Sequence, residues 1–401
     1  MAELTNKKLV LAFSGGLDTS YCVKYLTEQG YEVHSVVVNT GGFDQQELNE
    51  IAEKAKMLKV AKHHTIDETD NFYQKCVRYL VFGNVLRNNT YPLSVSAERV
   101  FQALAIVKYA KSIGAAYIAH GSTGAGNDQV RFDLIFGIIA PDIQIITPIR
   151  DQKLSRQEEV SYLQEKGIDI NWEKAKYSIN KGLWGTSVGG QETLVSDQTL
   201  PEEAYPSQLE KREPKHIKLW FDQGELKGVG AERYDDPVEA ILALEKISAP
   251  YAIGRDVHVG DTIIGIKGRV GFEAAAPLII IKAHHLLEKH TLAKWQQYWK
   301  DQVANWYGMM LHEGQYLDPV MRDMEAFMES SQKRVSGTVE VRLMPYRFEL
   351  IGIDSKYDLM SSKYGQYGEM NLAWSGDDVK GFTKIMSNQN KIYYSYDDAQ
   401  H

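Results

Sequence analysis

The chain begins with a regular exchange of short apolar runs and amphipathic stretches. Residues 7–13 read as a short strand buried on both faces. Residues 18–29 follow as a helix, with Cys22, Tyr25 and Leu26 on one face at helical spacing. The β-branched run Tyr31 to Val38 predicts a second strand, Asp44 to Leu58 a helix, and Lys62 to Ile66 a third, weaker strand. Glu98 to Ile113 predicts a helix with Val100, Leu104 and Val107 in register. Ala115–Ala119 and Ile143–Ile146 are the next strands, and a helix spans 155–166. This alternation predicts an α/β domain built on a doubly wound parallel sheet. Such sheets bind ligands beyond the carboxyl ends of their strands.

The rhythm then changes. Residues 172–215 are rich in Gly, Ser, Pro and Glu without a clear period, and read as a long loop-rich stretch. Residues 216–286 look like strands with turns: 216–221, a turn at Gly224, 257–268 and 276–285. Helical patterns return at 287–331, and strands at 335–345 and 347–353. The division expected is a nucleotide-binding domain over 1–168, an α+β domain over 169–360 and a tail over 361–401. The tail is polar and Tyr-rich, too thin to fold alone, so it reads as a segment that docks on a neighbouring subunit or on its own body. No internal repeat or low-complexity block is present.

At 401 residues, 43% hydrophobic and 24% charged, the composition excludes wholesale disorder. A net charge of −8 argues against a duplex-binding surface, which needs a basic face. An anionic ligand must therefore be held by backbone N–H groups and a few Lys or Arg. The two cysteines, Cys22 and Cys76, form no C-x-x-C motif and read as free buried thiols in a reducing cytoplasm. No signal peptide or membrane-length apolar run is visible. The His63-His64 and His284-His285 pairs lack metal-ligand spacing, so no metal site is expected.

Candidate chemistry concentrates in two loops. Ala12-Phe13-Ser14-Gly15-Gly16-Leu17-Asp18-Thr19-Ser20 lies between the first strand and the first helix. Its glycines permit a tight turn and close backbone approach. Successive amide N–H groups then face one concavity at the positive end of a helix dipole, with hydroxyls from Ser14, Thr19 and Ser20. This is a pyrophosphate cradle, distinct from the Walker A loop, whose lysine is missing. The bland reading is a capping cluster on a turn. The second loop, His120 to Phe132, gathers Thr123, Asn127, Asp128 and Arg131: a hydroxyl, an amide, an anion and a cation within nine residues. That mixture suits a zwitterion, with Asp128 taking an ammonium and Arg131 a carboxylate in bidentate fashion.

The S-G-G-x-D-[ST]-S string resembles the PP-loop of the ATP pyrophosphatases, and the second loop is similar, almost letter for letter, to H-G-x-T-G-K-G-N-D-Q-V-R-F of the argininosuccinate synthase family. The resemblance covers roughly residues 7–290 and is weaker beyond. It implies ATP contacts from Ala12 through Ser20 and Gly121, aspartate contacts from Thr123, Asn127 and Asp128, and citrulline contacts from Tyr91, Ser96, Asn127, Arg131, Ser178 and Ser187. It further implies citrulline, aspartate and ATP with Mg²⁺ as substrates, a citrullyl-adenylate intermediate, a cytoplasmic location and a homotetramer. Several positions depart from the family pattern. Ala125 replaces a Lys; Asn180, Gly182 and Thr186 replace Asp, Asn and Arg; Gly260 and Phe272 stand where a Glu and a Tyr are expected. These last two motivate an alternative acceptor such as an acylated citrulline. A rival of another class is a non-catalytic adenine-nucleotide sensor.

Overall fold

The computed structural model describes residues 6–168, 177–361, 367–368 and 373–398. The first unit runs β1 (Lys8–Ala12), α1 (Leu17–Glu28), β2 (Glu32–Asn39), α2 (Gln45–Met57), β3 (Lys62–Asp67), α3 (Thr69–Phe72), α4 (Arg78–Phe82), α5 (Ser94–Ser112), β4 (Tyr117–Ala119), α6 (Asp128–Ile139), β5 (Gln144–Ile146), α7 (Pro148–Gln152) and α8 (Arg156–Glu165). Its five strands are all parallel in the order β3-β2-β1-β4-β5. Leu9, Val10 and Leu11 of β1 are fully buried, as a central strand covered on both faces requires. One apolar cluster packs α1, α2 and α8 on one side of the sheet, and a larger one joins the other side to the second unit.

The remainder runs β6 (Ser178–Gly182), β7 (Gly185–Gly189), β8 (Lys215–Asp222), β9 (Glu225–Val229), β10 (Glu232–Arg233), α9 (Pro237–Ser248), β11 (Arg255–Asp261), β12 (Lys267–Glu273), α10 (Ala275–Thr291), α11 (Lys294–His312), α12 (Val320–Ser331), β13 (Gly337–Met344) and β14 (Arg347–Asp354). It holds two antiparallel sheets, β10-β9-β8-β13-β14 and β11-β12-β7-β6. The last segment carries α13 (Gly376–Met386) and α14 (Asn388–Asp398).

Several expectations change. Within 216–286, read as strands with turns, Pro237–Ser248 forms helix α9, started by Asp236, whose side chain accepts from Val238 N, and the run 257–268 is divided between β11 and β12. The stretch 172–215 is not all loop: it contains the β6–β7 hairpin, joined by Leu183 and Trp184. Exposed Ser178 and Ile179 with glycines at both turn ends hide its alternation. The run 276–285 is not a strand but the first half of α10. Ile279, Ile280, Ile281, Ala283 and His284 are all buried there, and a helix buried around most of its circumference carries no amphipathic period to read. Helix α5 begins at Ser94, one turn before Glu98. Leu93 turns the chain in with φ 63°, and the Tyr91 hydroxyl accepts from Val95 N at 3.2 Å and Ser94 Oγ at 3.3 Å. A tyrosine therefore caps this helix, where sequence patterns look for Ser or Asp. Cys22 and Cys76 are free and buried.

Candidate active site

In the order β3-β2-β1-β4-β5 the winding reverses between β1 and β4, so the crevice lies beyond the carboxyl ends of those two strands. The loops that leave them are the two motif loops. They touch: a Cβ on Gly121 would lie 3.3 Å from Thr19 Cγ2 and from the Asp18 carbonyl carbon. Gly121 thus allows the second loop to lie on the first. Gly15 adopts φ +73°, a conformation glycine takes without strain, and its carbonyl accepts from Lys54 Nζ at 3.3 Å. Gly16 is the residue before α1, with no side chain capping the helix, so the first-turn N–H groups are left for a ligand. A Cβ at Gly16 would meet only Ser14 Oγ, at 3.4 Å.

Together these loops open one side of a cavity of about 1200 Å³ lined by residues of both units. Ala12, Phe13, Ser14, Gly16, Leu17, Asp18 and Thr19 all border it. Ser20 does not: its hydroxyl donates to Gly16 O at 2.7 Å and the side chain is buried in α1. Gly15 shapes the loop from behind. Asp18 is paired with Glu159 of α8. Burial raises both carboxyls; Asp18 lifts Glu159 further, to about 8, while the hydrogen bond from Glu159 favours ionised Asp18, so the pair retains a proton near neutrality, on Glu159.

On the second loop Thr123, Asn127, Asp128 and Arg131 all line the cavity, but Asn127 Oδ1, the Asp128 carboxylate and one edge of the Arg131 guanidinium are already engaged. Asn127 Oδ1 accepts from Ile263 N at 2.8 Å, tying the loop to the β11–β12 turn. Asp128 does not stand ready for an ammonium. Its carboxylate accepts from Arg99 Nε at 2.9 Å and Arg131 Nη1 at 2.8 Å. Burial would raise this carboxyl; the two guanidiniums outweigh burial and hold it below the usual range. Arg131 is buried, and its Nε and Nη2 both donate to His312 O, at 2.9 and 2.8 Å. The Nε–Nη2 edge of the fork expected to grip a carboxylate is therefore filled by a backbone carbonyl. His120 Nδ1 accepts from Ser122 N at 3.2 Å, so its proton sits on Nε2 and donates to Asp133 at 3.0 Å.

The opposite wall comes from α5, the β6–β7 hairpin and β11–β12. Tyr91, Ser96, Ser178 and Ser187 all line the cavity. Ser187 pairs with Asn180 across the hairpin, which sets Ser178, Asn180 and Ser187 on one face. Phe272 lies outside the lining, fully buried against Tyr91 with ring centroids 5.4 Å apart. Ala125 is exposed.

Sequence reasoning places Arg99 with Tyr91 and Ser96 along a polar pocket but does not assign several other wall residues. Val36, Val38, Phe43 and Ile106 give the cavity an apolar flank. Arg99 is held on four bonds, to Asp128, Glu98, Gln102 and Asn180. Glu98 is almost wholly buried, and burial lifts its carboxyl to about 7 against the pull of Arg99. A Cβ on Gly182 would lie 1.9 Å from Glu98 Oε2. Any side chain at 182 would have to push the Glu98 carboxylate aside, which gives a physical reason for Gly182 where the family string has Asn. Asn180, in place of an Asp, still accepts from Arg99 Nη2 at 3.0 Å, while Glu98 brings the negative charge. Glu98 at the start of a helix and Gly182 far along the chain gave no local sign of this pairing.

Comparison with known proteins agrees with this arrangement. Residues 8–169 match the family model of the argininosuccinate synthase N-terminal HUP domain, and residues 177–393 that of the argininosuccinate synthase C-terminal domain. The likeness therefore runs well past residue 290. The chain is 37% identical over 388 residues to an argininosuccinate synthase of Methanocaldococcus jannaschii, covering 96% of this chain and 97% of that one. It is 38% identical over 395 residues to that of Dictyoglomus turgidum, with 97% and 98% covered. The enzyme of Xylella fastidiosa is 35% identical over 402 residues, with 97% and 98% covered. With both halves matched and a cavity formed where they meet, the chain belongs to the argininosuccinate synthase family of ATP-dependent ligases.

Proposed function

We propose that this chain joins citrulline to aspartate at the expense of ATP, releasing AMP and pyrophosphate. The observation that carries the reading is the meeting, in one cavity, of a bare helix N-terminus on the first loop, the second loop and the serine-bearing hairpin. The chemistry needs that meeting. A ureido carbonyl is a poor electrophile with a poor leaving group. Adenylating its oxygen supplies AMP as leaving group, and pyrophosphate departs toward the first loop. The aspartate amine then attacks the ureido carbon, forming a C–N bond as the C–O bond to AMP breaks. The residues from Ala12 to Thr19 and Gly121 serve the nucleotide, Mg²⁺ entering with it on the phosphate oxygens. The apolar flank from Val36 to Phe43 suits the adenine.

Thr123, Asn127 and Asp128 serve aspartate, and Tyr91, Ser96, Asn127, Arg131, Ser178 and Ser187 serve citrulline. Within those roles, Asp128 acts by holding Arg99 and Arg131 in place, and Arg131 offers the donors His312 leaves free. The units proposed are 1–168, 169–360 and 361–401; the junction at 169 falls outside the described residues. The site works by positioning and by donors aimed at developing charge. Measuring pyrophosphate release from ATP with citrulline and aspartate together, and with each alone, tests the reading. Release that needs citrulline supports it; ATP binding without release under any combination would identify a sensor instead.

A homotetramer fits the tail. Helix α13 buries nothing in its own chain and leaves Val379, Phe382, Ile385 and Met386 exposed. A contiguous apolar face of this kind is covered by another surface in a stable protein. Truncation before residue 361 should lower the assembly state in light scattering; a full-length monomer would remove the argument.

A further inference from the structure

The part of the cavity wall formed by β11 carries an imidazole that the proposed roles do not use. His258 lines the cavity with only 6% of its surface exposed. Its ring stacks on Tyr91, centroids 5.2 Å apart and planes 25° from parallel. Its Nδ1 is buried with no hydrogen-bond partner among the described residues. Its Nε2 lies 2.6 Å from where a Cβ on Gly260 would sit. The ring therefore covers the place a side chain at 260 would take.

The cations around this ring are not offset by a free carboxylate. Arg87 lies near it, and His312 beside it lies near Arg87, Arg131 and Asp128. Burial, then Arg87, keeps His258 below the ordinary histidine range, so the ring is neutral. The nearby carboxylates are taken: Asp128 by Arg99 and Arg131, and Asp261 by Lys267 at 2.5 Å. A substrate carboxylate is favoured here. A substrate ammonium would find a phenol and an imidazole but no free anion.

We propose that the wall around Tyr91 and His258 meets the amino-acid end of the ureido substrate and that His258 sets acceptor specificity by keeping that wall neutral, so that recognition depends on the substrate's carboxylate and not on the charge of its α-nitrogen. This rests on the reading of the cavity as a site for a ureido acid. An ammonium held by a carboxylate adds about ten- to a hundred-fold in affinity, and that increment is what this wall forgoes.

The experiment compares citrulline with 5-ureidopentanoate, which is citrulline without its α-amine, by pyrophosphate release at saturating ATP and aspartate. The expected kcat/KM values lie within about three-fold of one another. In His258→Glu, checked for folding by circular dichroism and for ATP binding by calorimetry, citrulline should gain a preference of about ten-fold or more. Wild-type protein that uses citrulline at least about thirty-fold better than 5-ureidopentanoate overturns the proposal while leaving the function intact. A folded His258→Glu protein that binds ATP and shows no shift in preference also overturns it. Absence of release with either acid in the wild type refutes the reaction itself and this inference with it.

Discussion

Replacing Asp128 by Asn removes one negative charge from between two guanidiniums. Asp128 accepts from Arg99 Nε at 2.9 Å and from Arg131 Nη1 at 2.8 Å, and the Arg131 side chain is only 5% exposed. Asn keeps one carbonyl oxygen, so one contact survives as a weaker neutral bond and the other becomes donor against donor. Breaking a buried ion pair costs about 3–5 kcal/mol. The Asp128 carboxyl is 36% exposed, so solvent screening reduces this to about 2–3 kcal/mol. For a unit of this size that is a melting shift of roughly 5–10 °C. The kinetic consequence follows from the same contacts. Arg99 and Arg131 lose their common anchor, so kcat/KM should fall about a hundred-fold for aspartate and for citrulline alike. The ATP KM should hold, because the first loop makes no bond to Asp128. Thermal melts and steady-state kinetics with each substrate varied supply the readout. A normal melting temperature with a raised KM for aspartate alone would refute the clamp and make Asp128 a direct ammonium ligand.

Three further outcomes follow from particular contacts. Gly16→Val should abolish ATP binding in calorimetry while the fold survives, since the first added atom meets only Ser14 Oγ at 3.4 Å; unchanged affinity in a folded variant would remove the phosphate role. Gly182→Ala should destabilise by about 1–3 kcal/mol in urea melts because its methyl meets Glu98 Oε2, and Glu98→Ala should recover part of that loss in the double variant; additive losses would show that the two do not touch. His284 is wholly buried, and burial lowers its pKa to about 4. The unfolded chain then binds a proton the folded one refuses between about pH 6.5 and 4, so stability should fall as pH falls through that window, by up to about 3 kcal/mol. His284→Gln should flatten the slope, and an unaltered slope would assign the acid loss to other groups.

How much was legible depended on how local each signal was. The first unit could be read strand by strand because β1 and β2 are apolar and β-branched and because the Asp44–Glu47 capping box marks the start of α2. Both motif loops are contiguous, and the strand order puts them side by side. The hairpin β6–β7 was illegible for the opposite reason. Its strands carry serines, lysine and glycines, and β7 is held as a strand by β12, residues 271–273 against 186–188, a partner no local window contains. Helix α10 was misread because burial on nearly all sides erases periodicity.

The same distinction separates residue identity from residue role. Asp128 and Arg131 lie three apart on one helical turn, so sequence shows them as two groups available to a ligand. The fold shows them bonded to each other, with Arg99 from α5 on one side and the His312 carbonyl, from the end of α11, on the other. Arg131 and Arg99 are buried enough that each needs a partner, and Asp128 serves both. The partners come from three distant parts of the chain, which means the site exists only when the two units are docked. The departures from the family string read the same way. Gly182 makes room for Glu98, and Gly260 makes room for His258. Taken singly, each glycine looks like a lost functional group. Taken with the side chain that fills its space, each has a neighbour, Gly182 across the fold in Glu98 and Gly260 two residues back along β11 in His258. A larger side chain at 182 or at 260 should therefore displace Glu98 or His258, and a smaller side chain at 98 or at 258 in the same variant should relieve that displacement.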